Sequence, residues 1–180
     1  MSPIFSSAVY GVLQVVRKGG PQIKLVVNDI CGELQLIGIT ATLGTHDTEL
    51  AQLAVARGQL EKARQHLHDA LSIFSGAHDR NPNELRAMAL LTEVDLRLGN
   101  TSTANADAAG VVEKARAALS GFPTSAWMGR ALQVQGEVLR AQGNTDAAKT
   151  TLGHALEMLN QSAGQSAPWT QQTKAALASL

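Results

Sequence analysis

Five histidines and one cysteine are the side chains of this 180-residue chain best suited to hold a metal or move a proton. His66 and His68 are two apart in a stretch that reads as helix, so they point to different faces. Two histidines two apart cannot share one ion as helical histidines four apart can. Both therefore read as solvated side chains of a polar face. His46, Asp47 and Glu49 read as a cluster capping the start of a helix, where acidic groups meet the positive end of its dipole. His154 falls close to an apolar face and reads as a partly buried histidine, because no Ser or Cys elbow accompanies it. Cys31 has no CxxC partner and reads as an inert, half-buried thiol. Glu93 with Asp95, and Asp79 with Glu84, lack a pocket that would shift their acidity. Gly19-Gly20-Pro21 is followed by no Gly-Lys-Ser/Thr, so it is not a phosphate loop. We expect no catalytic residue, no cofactor and no metal site, and hence no enzyme.

Composition narrows the classes further. Apolar residues make up 44% of the chain but aromatics only 3%. An alanine-rich, aromatic-poor interior favours closely packed helices over a β-sandwich, which needs β-branched and aromatic residues. Lys plus Arg and Asp plus Glu are balanced at 15 each. With no excess positive charge to neutralise phosphates, neither nucleic acid nor a membrane surface is the expected partner. Met1 to Val16 is apolar but lacks the basic start of a signal peptide. No run approaches the roughly 18 apolar residues that a spanning helix needs. A single cysteine forms no intrachain disulfide and fits a reducing compartment. The expectation is a soluble, cytoplasmic protein.

The elements divide at about residue 43. Residues 1–43 contain Gly11 to Val16, a turn at Arg17-Lys18-Gly19-Gly20-Pro21, and then Gln22 to Val27 and Glu33 to Thr40. Partial alternation and β-branched residues predict two or three short strands there. Such a segment would be a docking element, the end of a lost domain, or a leader from a misplaced start. Residues 44–180 read as mainly α: three helix-turn-helix pairs and a C-terminal capping helix. The first helix is expected from about Glu49, capped by Asp47 or Thr48, to Arg57. The others are expected over Leu60–Phe74, Pro82–Leu98, Ser102–Leu119, Ser125–Ala141, Thr145–Leu159 and Pro168–Leu180. Leu60, Ala63, Leu67, Ala70, Leu71 and Phe74 form the apolar stripe of the second. Ser166 is a candidate cap for the last helix, and Trp127 and Trp169 each stand at a helix start. They read as packing between neighbouring units, with a surface hot spot as the alternative.

The pairs repeat. Gly58-Gln59-Leu60 to Leu71 returns as Gly143-Asn144-Thr145 to Leu156, with Gly, Ala, Leu, Ala and Leu at the same offsets, and a degenerate copy starts at Gly99-Asn100. The turn glycines are 41 and 44 residues apart (99 minus 58, 143 minus 99). This helix-Gly-helix unit resembles the tetratricopeptide (TPR) family, in the long-repeat variety of kinesin light chains. Similar arrays form C-terminal regions of large bacterial regulators. The small residues of that motif would be Ala51 and Gly136 in first helices, and Ala63, Ala70, Ala148 and Ala155 in second helices. The larger residue between those alanines would be Leu67 or Leu152. The middle copy departs from the motif at Thr92, Asp95 and Val111.

The resemblance implies a short α-solenoid that binds a peptide or protein in a groove lined by first helices. The implied partner-binding stripe is Arg130, Gln133, Glu137 and Arg140 in the third pair and Arg86, Glu93 and Arg97 in the second. Thr48 and Gln52 continue it, uncharged, in the first. A stripe mixing arginines with glutamates differs from the Lys/Asn carboxylate clamp of some relatives, so no binding of chaperone tails is expected. The leading reading is a scaffold or adaptor module. The alternative is a regulatory C-terminal fragment of a larger bacterial kinase or transcription regulator. Self-association is left open.

Overall fold

The computed structural model describes residues 33–75, 82–119, 121 and 124–180, with side chains from Thr42 onward. The strands expected within residues 11–27, and Cys31, lie outside the described residues. Among the described residues seven helices follow one another: α1 (Glu33–Ala56), α2 (Leu60–Phe74), α3 (Pro82–Arg97), α4 (Thr101–Ala118), α5 (Ala126–Ala141), α6 (Thr145–Ser162) and α7 (Pro168–Ala178). Among the described residues there is no strand. The chain divides into two compact units, Met1–Thr42 and Leu43–Leu180.

The strand expected over Glu33–Thr40 is a correction: those residues are helical and belong to α1. Their apolar positions alternate only in part, a pattern that fits either period. A helix already nucleated downstream gains one hydrogen bond for each residue it adds. Asp47 and Thr48 therefore lie inside α1 and do not cap it. The Thr48 hydroxyl donates to the Gly44 carbonyl at 2.8 Å, one turn back. Asp47 reaches His66 of α2 instead, Oδ1 to Nδ1 at 3.5 Å. Nor does Ser166 cap α7, whose N-cap position is Ala167.

The turns have a common chemistry. Gly58, Gly99 and Gly143 take positive φ angles of 72°, 84° and 79°. The residue after each sends its N–H back to a carbonyl five residues earlier: Gln59 to Ala54, Asn100 to Asp95, Asn144 to Leu139, at 2.8 to 3.0 Å. This Schellman closure satisfies carbonyls the helix end would otherwise leave bare, and glycine adopts its left-handed residue without a Cβ clash.

Each helix from α2 on packs against its sequence neighbours, and α3 also meets α5, which meets α7. The residues that let α5 approach α6 are glycines. A Cβ built on Gly136 would stand 2.5 Å from Cγ of Leu152, and one on Gly129 2.8 Å from Cγ of Leu159. Burying each leucine completely contributes on the order of 1.5–3 kcal/mol. The same relation holds 85 residues earlier (136 minus 51, 129 minus 44). A Cβ on Gly44 would meet Phe74 at 2.6 Å, and Ala51 and Leu67 share one buried cluster.

The middle pair, where the sequence departs from the motif, solves the same packing with sizes exchanged. Counted 41 residues on, the small positions Gly44 and Ala51 become Leu85 and Thr92. The large positions Leu67 and Phe74 become Ala108 and Ala115. All four are buried, and Leu85 and Ala115 lie in one core cluster. Thr92 satisfies its hydroxyl by donating to the Met88 carbonyl at 3.0 Å. Large facing small conserves volume, which is what a close-packed interior tolerates.

Candidate functional site

An open groove of about 790 Å³ runs along the side of the molecule to which α1, α3, α5 and α7 all contribute. Its lining has an apolar part, from Val55 of α1 through Leu90, Val94 and Leu96 of α3 to Ala141 of α5. The titratable groups in its lining are two glutamates and two arginines, Glu93 and Arg97 from α3 and Glu137 and Arg140 from α5. Glu93 and Glu137 are 44 residues apart, as are the turn glycines Gly99 and Gly143, so the two helices present equivalent positions to one surface.

Polar bridges join each neighbouring couple of odd-numbered helices, and between α3 and α1 one of them is Asn83 Nδ2 donating to Thr45 Oγ1 at 3.1 Å. Arg86 Nη2 donates to Gln52 Oε1 at 2.9 Å, tying α3 to α1. Arg130 Nη2 lies 2.6 Å from Glu93 Oε1, tying α5 to α3. Arg140 Nη1 donates to Ser179 Oγ at 3.2 Å, tying α5 to the end of α7. Polar bridges of this kind fix geometry more than they add stability where water reaches them.

The seven residues expected to meet a partner thus separate. Arg130 is 7% exposed and Gln133 2%. Arg130 Nη1 donates to Gln133 Oε1 at 2.9 Å, and its guanidinium stands 5.5 Å from the centre of the Trp169 ring. That ring packs against Trp127 with centroids 5.4 Å apart, tilted by 55°. Arg130 is an internal tie, because its donors and its flat face are already engaged. Gln133 lines the groove yet is held from below, and Arg86 is committed to Gln52. Glu93, Arg97, Glu137 and Arg140 remain at the groove surface. Arg140 is paired with Glu137, Nη2 to Oε2 at 2.7 Å. Arg97 is exposed and, among the described residues, makes no hydrogen bond or ion pair. Of the two expected to extend the stripe into α1, Thr48 is buried while Gln52 is held by Arg86.

The sequence reading missed the contribution of α7 and its C-cap, from which Gln172, Ala175, Ala176 and Ser179 line the far end. A signal existed. Trp169 stands 42 residues after Trp127, and the same step carries Gln133 to Ala175 and Glu137 to Ser179. The step also carries Gly129 and Gly136, which face α6, to Gln171 and Ala178, and both are exposed.

The described histidines stand apart from the groove lining. His154 is a correction: it is exposed, because Ala148, Leu152, Ala155 and Leu159 form the inward stripe of α6 and leave it outside. His46 and His68 are exposed as well. Among the described residues, no group of three or more His, Cys, Asp or Glu is placed to hold a metal ion. No described helix is long and apolar enough to cross a membrane. No protein-family model matches the chain, and no curated protein matches it.

Proposed function

We propose that residues 44–180 are a short TPR-like α-solenoid acting as an interaction module, with a peptide or protein segment bound in the groove. The observation that carries this reading is the alignment of equivalent positions, Glu93 of α3, Glu137 of α5 and Ser179 at the C-cap of α7, along one groove with a largely apolar lining. Solenoids build extended binding surfaces in this way, from the same face of successive units. The apolar lining supplies burial and the arginines at its rim supply orientation, the division found in peptide-recognition grooves. The groove is braced before any partner arrives, since Arg86, Arg130 and Arg140 already fix the spacing of its walls. Pre-ordering lowers the entropy lost on binding.

Arg97→Glu tests the reading, with Lys149→Glu on the exposed surface of α6 as the comparison. Affinity capture from the native source, followed by mass spectrometry, identifies the partners of the wild type. Arg97→Glu should weaken their binding by about tenfold or more, since arginine hot spots contribute on the order of 2 kcal/mol. It should leave folding stability within about 0.5 kcal/mol, as expected for an unpartnered surface side chain. Lys149→Glu should change neither. If Arg97→Glu retains every partner at the wild-type yield, the groove is not the binding surface.

A further inference from the structure

The charges that line the groove are paired with one exception. Glu93 Oε1 is held by the buried Arg130, whose Nη2 lies 2.6 Å away. Glu137 Oε2 accepts from Nε of Arg140 at 2.9 Å and lies 2.7 Å from its Nη2, while Nη1 of the same arginine donates to Ser179. Arg97 is exposed and makes no hydrogen bond or ion pair among the described residues. It stands in the last turn of α3, where a cation complements the helix dipole. That interaction leaves its guanidinium N–H groups free and its charge without a counter-charge.

The neighbouring lining sets what accompanies this charge. Leu90 and Val94 precede Arg97 on the same stripe of α3, and Leu90 is half-buried. On α7 the side-chain amide of Gln172 is exposed and makes no hydrogen bond among the described residues. An amide both donates and accepts, which suits a peptide main chain. The lining extends to both sides of α3, to Val55 of α1 and to Ser179 at the end of α7, so a bound chain runs past Arg97 and does not stop there.

On the reading that this groove is the binding surface, we propose that its occupant is an apolar peptide segment carrying a single internal Asp or Glu, whose carboxylate pairs with Arg97. A carboxylate and a guanidinium make the stronger, charge-assisted kind of hydrogen bond, and two of them can form in parallel. A basic segment gains little here, because both glutamates are already held by arginines. A segment rich in acids sets its further carboxylates beside Glu93 and Glu137, and like charges facing each other disfavour it. One negative charge is what this lining compensates.

Panning a phage-displayed library of random peptides against the full chain supplies the probes. Enriched peptides, resynthesised with both ends blocked, are titrated by fluorescence anisotropy. Ala175→Trp locates them, because it fills the groove from an exposed lining position. The peptides it releases should carry one Asp or Glu among apolar residues. Replacing that acid by its amide should weaken binding to the wild type about tenfold, the scale of a hydrogen bond to a charged group, and leave binding to Arg97→Gln unchanged. Peptides that Ala175→Trp releases but that lose nothing when the acid becomes an amide, or that carry basic or several acidic residues, overturn the pairing with Arg97 and leave the groove as the binding surface. Peptides that Ala175→Trp does not release, or a library that yields none, overturn the groove and the pairing together.

Discussion

Gly136→Leu should lower folding stability by about 3 kcal/mol, the upper end of the usual cost of overpacking. The first added carbon alone would stand 2.5 Å from Cγ and 2.7 Å from Cδ2 of Leu152, and 3.4 Å from its backbone nitrogen. The leucine cannot swing clear, since it is itself completely buried. The remaining three carbons must then push α5 away from α6 over the length of the contact. Helix propensity acts the other way, as replacing a mid-helix glycine gains about 0.5–1 kcal/mol, and it is too small to compensate. Gly153 on α6 is the internal control, because nothing lies within 4 Å of its Cβ position. Gly153→Ala should therefore raise stability by about 0.5–1 kcal/mol. Urea unfolding of both variants distinguishes crowding from a general intolerance of helix glycines. Equal midpoints for Gly136→Leu and the wild type would mean that α5 and α6 are not in close contact.

The features legible in the sequence are those set by local periodicity. The stripe Leu60, Ala63, Leu67, Ala70, Phe74 places α2 over Leu60–Phe74, where the structure has it. The turn glycines mark the ends of α1, α3 and α5, because only a left-handed residue closes them in this manner. The start of α1 was not legible: its residues are compatible with strand, and the preference for helix comes from continuing one already formed. Nor was the packing of the middle pair. Thr92 reads in the sequence as an isolated departure from the motif, and it makes sense only together with Ala108, as an exchange of sizes between two helices. The groove was legible in direction but not in detail. Spacing alone puts Arg130 and Arg140 on one stripe of α5. Only the tertiary arrangement shows that Arg130 is covered by Trp169 while Arg140 stays at the rim.

Asp95 is the clearest case of a residue whose role is set from outside its own helix. Counted by the turn glycines, it occupies the position of Ala54 (95 minus 41) and Leu139 (95 plus 44), both apolar. It is tolerated there because Arg64 of α2 comes within 3.1 Å. The equivalent of Arg64 in the third pair, Lys149 (64 plus 85), faces no such acid and is exposed. Arg64→Ala should therefore cost far more than a surface substitution, about 3–5 kcal/mol at neutral pH. It leaves a buried carboxylate without its charge partner, with Asn100 as its side-chain donor. The loss should come from the stranded charge and not from the missing arginine stem. Arg64→Met with Asp95→Leu removes both charges and restores the apolar residue found at the equivalent position of α5. That double variant should be within about 1 kcal/mol of the wild type or more stable, as when other buried ion pairs are replaced by apolar groups of similar volume. The coupling between the two sites, read from a double-mutant cycle by thermal and urea unfolding, should then be at least about 2 kcal/mol. If Arg64→Met and Asp95→Leu instead add independently, the ion pair does not hold α2 to α3, and packing of Leu67, Phe74, Ala87 and Leu91 in their shared core does so alone.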